Sequence, residues 1–290
     1  MQTVRRLIFF SFCFFFFPYQ VFGDSLLVLS WNLNNFPSGV YNLRKPEAEG
    51  LRIGAVAAKI RKQKPDIILL QEVRDSAVCL RLIDSTGDPS LKLIKCSSFT
   101  DNSGIPIFQQ LAIISRFASS SAIEKRWSTF GVVDPPRGFV AAVLSTHSGK
   151  VLVCNVHLKS NRSTGDPDRS RQLNILKREL ASEQLIKFIS AVQDTISKII
   201  IGGDFNTNTD NPEFLSEATF STIRNEGFIC CFDGIGDVSR RVTWRSTGKY
   251  PDATFDSIFA RGFKFIAYPM FIDSEISDHN GVLCTLKGAR

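Results

Sequence analysis

The stretch "IGGDFNT" (residues 201–207) places an acid and an amide directly after an apolar run that begins at Lys198. Alternate residues of a β-strand face the same side of the sheet. If residues 199–203 form a buried strand, Asp204 and Asn206 would both project past its C-terminal end. Gly, Asp and Asn are also the commonest turn residues, so a simple turn explains the same letters. The rest of the chain has to decide between a turn and a functional site.

Polar residues mark the ends of other apolar runs in the same way. They are Asn32 in "LLVLSWN", Glu72 in "DIILLQEV", His157 in "KVLVCNVHL", Asp256 in "TFDSIFA", and Asp278 and His279 just before "GVLCTL". Sites of layered α/β folds collect at strand ends. Any one of these residues is explained equally well by a cap or a turn. Together they favour a shared site.

The apolar runs themselves predict a layered α/β protein. Short, nearly continuous apolar runs are typical of strands buried on both faces, and they fall at 26–32, 66–73, 110–117, 139–146, 150–158, 198–205, 254–260 and 281–286. Helical spacing is found at 52–63, before Pro65, and at 171–193. A hairpin turning at Ser148-Gly149 predicts partly antiparallel sheets. We predict one domain, 24–290, because no linker or repeat interrupts this pattern.

The first 23 residues predict a secretory signal peptide. Arg5 and Arg6 precede the apolar run "LIFFSFCFFFF" (7–17), and a small-residue exit follows at Gly23. A run of this length is short for a membrane span, which needs about 20 residues; a retained N-terminal anchor is the alternative. We therefore expect a secreted or periplasmic monomer without stable membrane insertion. Removing 1–23 takes two basic residues from 35, which leaves 33 against 28 acidic, or +5. A mildly basic exported protein suits a polyanionic ligand such as nucleic acid.

Six cysteines remain after Cys13 leaves with the signal, and none shows CxxC spacing. Cys154 and Cys284 lie in strand-like runs and are predicted to be free core thiols. The candidates for disulfide pairing are Cys79, Cys96, Cys230 and Cys231, whose partners the sequence does not fix. Export makes such disulfides possible.

The residue types at the strand ends indicate metal-assisted hydrolysis of a phosphate ester. Carboxylates such as Glu72 and Asp278 suit Mg²⁺, Mn²⁺ or Ca²⁺. The chain has no HExxH, GxSxG or GxxxxGK[ST] motif, which argues against a zinc protease, a serine hydrolase and a P-loop enzyme. In such hydrolysis, a metal neutralises phosphoryl oxygens, an acid orients the attacking water, and a histidine stabilises or protonates the reacting group.

Seven motifs in order resemble the endonuclease/exonuclease/phosphatase superfamily: "LSWNLNNF", "LLQEVRDS", "LAIISRF", "CNVHLKS", "GGDFNT", "FDSIFA" and "SDHNGV". Together they cover essentially all of 26–286, and the local wording is most similar to deoxyribonuclease I. The resemblance implies a four-layer α/β sandwich in which two packed mixed β-sheets are flanked by helices. It also implies a divalent metal cofactor, Mg²⁺ or Mn²⁺ with Ca²⁺ as a further candidate, and a nucleic acid substrate.

The resemblance also implies a role for each matching residue. Glu72 would bind the metal with help from Asn32, and Asp278 would lie at the same metal site. Asp204 would activate water, with Asn206 holding phosphate or metal. His279, oriented by Asp256, would contact the scissile phosphate. His157 would be a second phosphate contact or the general acid that protonates the leaving oxygen. Arg74 and Arg137 match positions that touch the nucleic-acid backbone, although each is also explained as an ordinary surface arginine. The basic stretch 157–172, with Lys159, could line a groove or be a solvated loop before the next helix.

One position departs from the relatives most similar to deoxyribonuclease I, which pair the histidine at 157 with a carboxylate just before the "AIISR" strand. Gln109-Gln110 stand there instead. We therefore expect phosphodiester hydrolysis, with a secreted nuclease as the leading hypothesis. The alternatives are a phospholipid phosphodiesterase such as a sphingomyelinase, a phosphoinositide or sugar phosphatase, and a non-catalytic binding module on the same scaffold. A sphingomyelinase would carry an added exposed aromatic hairpin, which the sequence does not show.

Overall fold

The computed structural model describes residues 25–39, 45–101, 103–163, 165–192, 195–246, 248, 250–267, 269–272 and 276–289. The predicted signal peptide lies outside the described residues. The strands are β1 (Ser25–Phe36), β2 (Ile67–Val73), β3 (Lys92–Cys96), β4 (Gln110–Ser115), β5 (Ser119–Arg126), β6 (Gly138–Thr146), β7 (Gly149–His157), β8 (Lys198–Asp204), β9 (Ile229–Cys230), β10 (Asp256–Arg261), β11 (Phe263–Phe265), β12 (Met270–Ile272) and β13 (Gly281–Gly288). The helices are α1 (Pro46–Gln63), α2 (Ser76–Thr86), α3 (Pro167–Ser190) and α4 (Thr219–Asn225).

Two mixed sheets form the centre of the molecule. One has seven strands in the order β11-β13-β1-β2-β4-β3, with β12 also paired to β13, and the other has six in the order β5-β6-β7-β8-β10-β9. The pairs β1–β2 and β7–β8 are parallel, and the other strand pairs are antiparallel. The predicted mixed sheets are confirmed.

Alternating side chains on the strands build the four layers. On β2, Ile67 and Leu69 pack into the core between the sheets, whereas Ile68 and Leu70 pack against α1 and α2. The other sheet is covered by α3 and α4, whose buried apolar side chains belong to the same hydrophobic cluster as its strands. The predicted four-layer sandwich is therefore confirmed, and the apolar runs read from the sequence are the strands buried on both faces.

The topology brings the polar strand ends to one edge of the sandwich. Because β7 and β8 are parallel, His157 pairs directly with Asp204 at their carboxyl ends. The neighbouring strand β10 is antiparallel to β8, so its first residue, Asp256, also pairs with Asp204. In the other sheet, the carboxyl ends of β1 and β2 carry Asn32 and Glu72. Strand direction thus brings these five polar residues to the same edge of the sandwich.

Some local expectations differ from the structure. The hairpin turns at His147-Ser148, one residue earlier than predicted, because Thr146 already pairs with Gly149. All six described cysteines are free thiols, including the four that were pairing candidates. Among the described residues, the helices are all too short or too polar to span a bilayer.

Candidate active site

The strand-end cluster consists of Asn32, Glu72, His157, Asp204, Asp256 and His279. Asp204 lies at its centre and is 2% exposed. Its Oδ2 accepts a hydrogen bond from Asn32 Nδ2 at 2.9 Å, and its Oδ1 accepts one from the Asn206 backbone N–H at 2.9 Å. The second bond closes a turn of the kind that Asp commonly forms two residues ahead. The segment "GDFN" is thus a turn and also delivers the central carboxylate.

Strand β8 ends at Asp204, so the alternation of side chains along a strand does not determine where the Asn206 side chain points. Asn206 has a left-handed φ of 54°, and its side-chain Nδ2 donates to the Leu158 carbonyl at 3.2 Å. Just before this turn, Gly203 allows β8 to approach β7 closely. A Cβ at this position would lie 2.0 Å from the Val156 carbonyl oxygen. The predicted neighbourhood of Asp204 and Asn206 is observed, but a turn produces it.

Glu72 is placed by a bulge in β2, where the register against β4 shifts between Gln71 and Val73. Its φ of 58° re-aims the side chain toward the strand ends. Oε2 accepts from the Asn35 backbone N–H at 2.9 Å, and Oε1 lies 3.4 Å from Asn32 Nδ2. Asn32 therefore bridges the carboxylates of Glu72 and Asp204.

Backbone strain is concentrated around this cluster. Six described non-glycine residues have a positive φ, and five of them belong to the cluster or border it: Asn34, Asn35, Glu72, Arg137 and Asn206. Such conformations cost of order 1–3 kcal/mol each and persist where the surrounding structure over-determines them, often at functional sites. The concentration of strain is a second, independent observation in favour of this edge as the candidate site.

His279 and Asp256 form a buried pair. His279 Nδ1 lies 2.7 Å from Asp256 Oδ2, and its Nε2 faces Asp204 Oδ2 at 3.9 Å. Burial alone would lower the pKa of His279, but Asp256, Asp204 and Asp278 raise it to about 10. His279 is therefore an imidazolium at neutral pH, oriented by Asp256 as the sequence resemblance implies.

His157 has the opposite protonation state. It is 3% exposed, and burial, together with the charges of Arg137, His279 and Lys159, holds its pKa well below its usual range. Its Nε2 lies 3.5 Å from Asp204 Oδ2 and 3.8 Å from Glu72 Oε1. Its Nδ1 is buried and has no hydrogen-bond partner among the residues that the structure describes. His157 is thus a neutral imidazole aimed at the carboxylates.

The two glutamines expected near His157 bond to other groups. Gln109 Oε1 accepts from Arg137 Nη1 at 3.0 Å, and Gln110 bonds to Ser97, Phe99 and Ile107. Neither replaces the missing carboxylate. Neither glutamine therefore supplies the anion that would oppose the lowering of the His157 pKa by burial.

The carboxyl group of Asp204 is difficult to ionise. Burial and the nearby charge of Asp256 raise its pKa to about 7, although His279 and Asn32 oppose this rise. A carboxyl group whose pKa lies near neutrality is well matched to accept a proton from water. The perturbed pKa values of Asp204, His157 and His279 in one buried cluster identify it as a catalytic-site candidate.

The three basic residues proposed for substrate binding have internal partners. Arg74 forms an ion pair with Glu49 at 2.6 Å, and Arg137 donates to the carbonyls of His157 and Leu158 at 3.0 Å each. Lys159 Nζ donates to the Ser160 carbonyl at 2.8 Å. Burial and neighbouring cations lower the pKa of Lys159 to about 8. Their contact with nucleic acid stays a prediction.

The donor set at the cluster fits a hard divalent cation. Asp204, Asp256 and His279 offer ligand atoms within 4.8 Å of one another. Protonated His279 cannot ligate a metal, however, because a ligand needs the free nitrogen lone pair. Glu72 offers carboxylate oxygen atoms of the kind that Mg²⁺ prefers. Asn32 faces the two carboxylates with Nδ2, while its Oδ1 accepts from the Asn34 N–H at 3.0 Å. Asp278 Oδ1 is buried without a partner, while its Oδ2 accepts from Trp244 Nε1 at 3.1 Å. Among the described residues, no hydrogen bond joins Asp278 to Glu72 or Asn32.

The structure adds supporting residues that the sequence did not reveal. Ser277 Oγ donates to the Asn32 carbonyl at 2.8 Å and accepts from the His279 N–H at 3.1 Å. Thr243 Oγ1 accepts from the Asp256 N–H at 2.9 Å. Ser277 is the first residue of the SDHNGV motif, although the motif alone assigned it no role, and nothing in the spacing of Thr243 signalled one.

A scan of protein families matches residues 29–279 to the model described as the Endonuclease/Exonuclease/phosphatase family. This match spans most of the chain. The chain belongs to the endonuclease/exonuclease/phosphatase family. It is accordingly a nuclease-like phosphoric ester hydrolase, and the superfamily resemblance read from the motifs is confirmed. A search of curated proteins found no match.

Solved structures show the same fold at low sequence identity. A humanized D. rerio TDP2 is 17% identical with a TM-score of 0.61, over 91% of this chain and 99% of that one. TDP2 from C. elegans is 19% identical with a TM-score of 0.61, over 92% and 76%. An endonuclease/exonuclease/phosphatase from Beutenbergia cavernae is 18% identical with a TM-score of 0.60, over 92% and 72%. At these identities the likeness establishes the fold.

Proposed function

We propose that this family member is a divalent-metal-dependent nuclease. The observation that carries the proposal is the buried cluster in which Asp204 lies between a neutral His157 and a protonated His279. This arrangement sets a proton acceptor beside two imidazoles in different protonation states. A structure of D. rerio TDP2, 16% identical with a TM-score of 0.62, is described as complexed with a single strand DNA product. That description supports nucleic acid as the substrate.

Each residue contributes through a group seen in the site. Asp204 would accept a proton from the attacking water, with its orientation fixed by Asn32 and the Asn206 N–H. The His279 imidazolium would donate to a phosphoryl oxygen, and Asp256 holds its ring in place. His157 would be a further contact to the phosphate. Glu72 and Asn32 would hold Mg²⁺ or Mn²⁺, which would supply positive charge to the phosphoryl oxygens.

A substrate panel tests this proposal. The purified protein is incubated with single-stranded DNA, duplex DNA, RNA, sphingomyelin vesicles and a phosphoinositide, each with Mg²⁺ and with EDTA. We expect metal-dependent cleavage of nucleic acid, and loss of that cleavage in His279→Gln. Hydrolysis of a lipid or inositol phosphate with no cleavage of nucleic acid would contradict the nuclease assignment.

One surface feature favours a phospholipid phosphodiesterase as the second candidate. Between β5 and β6, Phe130 is 75% exposed and Val132 is 86% exposed. Reciprocal backbone bonds of 2.9 Å between Phe130 and Val133 close this turn. The same β5–β6 connection ends at Arg137, whose Nη2 donates to the His157 carbonyl at 3.0 Å. The sequence showed no added aromatic hairpin, but this turn displays two exposed apolar side chains in the segment that leads to Arg137. Cleavage of sphingomyelin vesicles by the wild-type protein, together with loss of that cleavage in Phe130→Ser, would favour the lipid substrate.

We also propose that the protein is exported after removal of residues 1–23. The charged start, short apolar run and small-residue exit support this. Mass spectrometry of the protein from culture supernatant would give a chain that starts near Asp24. An intact N-terminus in a membrane fraction would instead indicate a retained anchor.

A further inference from the structure

Arg178 of α3 is a charged residue that is 0% exposed. It forms a bidentate pair with Glu217, Nε to Oε1 at 2.8 Å and Nη2 to Oε2 at 2.6 Å. Burying two charges is costly, and removal of one partner leaves the other uncompensated. The pair alone gives no reason for placing an arginine here, since apolar residues of similar volume often serve as well.

The remaining nitrogen of Arg178 points toward the active site. Nη1 donates to the Lys159 carbonyl at 3.0 Å and to Asn161 Oδ1 at 2.8 Å. Asn161 Nδ2 in turn donates to the Asn206 carbonyl at 2.8 Å. The segment after β7 and the segment after β8 are thereby joined through one amide. Asn206 completes the connection by donating to the Leu158 carbonyl at 3.2 Å.

The chemistry of arginine fixes the direction of these bonds. A guanidinium only donates, so the oxygen of the Asn161 amide must face Arg178. The amide nitrogen then has to face the Asn206 carbonyl. Glu217 holds the guanidinium from the opposite side, and Thr219 Oγ1 donates to Glu217 Oε1 at 2.6 Å. A lysine could supply the charge but not this planar set of donors.

Asn206 needs such support because of its backbone conformation. Its φ of 54° is tolerated by Asn but is not strongly preferred. The N–H of the same residue donates to Asp204 Oδ1 at 2.9 Å, so a change in its backbone would release one of the two bonds that orient the Asp204 carboxylate.

We infer that Arg178 is a positioning residue that acts through Asn161 to hold Asn206, and with it the Asp204 carboxylate, in the reactive geometry. This inference rests on the proposed phosphodiester hydrolysis. Arg178 touches no reacting atom, and its effect on turnover passes through the amide of Asn161.

The variant Asn161→Ala tests the link without disturbing the buried ion pair. Asn174→Ala is the matched control, since Asn174 Nδ2 donates to the Arg162 carbonyl of the same segment at 3.2 Å and has no described bond to Asn206. We expect Asn161→Ala to lower kcat at least tenfold with KM changed less than twofold. In the control, both constants should stay near wild type. A kcat of Asn161→Ala equal to that of the control would overturn the inference.

A double-mutant cycle of Asn161→Ala with Arg178→Lys separates positioning from general destabilisation, because the bond from Arg178 Nη1 to Asn161 Oδ1 joins the two side chains. Arg178→Lys should lower kcat like Asn161→Ala. If Arg178 acts through Asn161, the double variant should be no slower than Arg178→Lys alone, because coupled residues are non-additive. Fully additive losses would contradict the inference. If Arg178→Lys does not fold, Asn161→Ala and its hydrogen exchange decide.

A readout independent of activity distinguishes this inference from the proposed function. Hydrogen exchange measured by mass spectrometry should accelerate in peptides containing residues 204–207 in Asn161→Ala but not in Asn174→Ala. If the wild-type protein hydrolyses no phosphodiester while this difference is present, the proposed function fails and the structural link stands. Equal exchange in the two variants would refute the link.

Discussion

Replacing Asp204 by Asn should make the metal-free protein more stable and much less active. Asp204 is buried, and its pKa is raised from 3.8 to about 7 by burial and by Asp256. A carboxyl group with a raised pKa stabilises the fold below its unfolded pKa of 3.8, and that contribution is lost as pH rises through about 7. At pH 8 the folded protein therefore bears the whole cost of the buried charge.

The size of the effect follows from two opposing terms. A difference of about three pKa units corresponds to about 4 kcal/mol at 1.36 kcal/mol per unit. Asn removes this cost but has one acceptor oxygen where Asp204 uses two, for the Asn206 N–H and for Asn32 Nδ2. The resulting donor–donor contact costs about 1–3 kcal/mol. The charge term is larger, so we expect a net gain of about 1–3 kcal/mol.

The assay is a thermal melt in EDTA at pH 8 and at pH 4, with turnover measured in Mg²⁺. A gain of this size would raise Tm by several degrees at pH 8, and the gain should shrink at pH 4, where wild-type Asp204 is protonated in the folded protein. Turnover should fall by two or more orders of magnitude, about 3 kcal/mol in the barrier. Asp168→Asn, at an exposed position in α3, should change neither quantity. A Tm below wild type at pH 8, or turnover near wild type, would refute the reasoning.

Three further outcomes are expected. Glu72→Gln should nearly abolish activity and raise the Mg²⁺ concentration needed for half-maximal rate, because it removes a charged oxygen ligand; an unchanged metal titration would count against Glu72 as a ligand. Arg137→Ala should lower Tm, because it leaves the His157 and Leu158 carbonyls without their donor. If instead its Tm is unchanged and the log–log salt slope of nucleic-acid binding falls by about one, the phosphate contact read from the sequence is supported. NMR titration without metal should show His279 protonated at pH 8 and His157 neutral at pH 6, and the reverse order would contradict the site electrostatics.

Histidine titration has consequences of opposite sign for stability. The raised pKa of His279 gives stability that is complete below about pH 6.5 and is lost as pH rises through about 10. The lowered pKa of His157 gives stability that is complete above about pH 6.5 and is lost as pH falls. A melt series across this range in His157→Gln and Asp256→Asn would separate the two contributions.

The central strands were predictable because they are buried on both faces. β7 and β8 form continuous apolar runs, and their parallel pairing follows from the long helical segment between them. The edge strand β5 was not predicted, since most of its residues are exposed and it lacks an apolar pattern. Helix α2 was also missed, although Asp75 caps it by accepting from the Val78 N–H at 2.8 Å and Gly87 ends it. Local capping signals were present there but lay between stronger apolar runs.

The sequence marked several residues that the structure brings together in the candidate site, but not their local geometry. Strand ends marked Glu72, Asp204 and His279, because strand direction brings those ends to one edge. The left-handed backbone of Asn206 and the bulge at Glu72 arise from contacts between segments far apart in sequence, which periodicity does not encode. Arg178 and Glu217 are 39 residues apart. Each resembles an ordinary surface charge when read from the sequence alone.

The most direct test of phosphodiester hydrolysis at this cluster is the initial rate on bis(p-nitrophenyl) phosphate, a diester that needs no nucleic-acid or lipid recognition. We predict that wild-type protein releases p-nitrophenol with Mg²⁺ or Mn²⁺, that EDTA stops the release, and that His279→Gln and Asp204→Asn each reduce it at least a hundredfold. A rate that persists in EDTA, or that both variants retain, would contradict a metal-dependent active site built on Asp204 and His279.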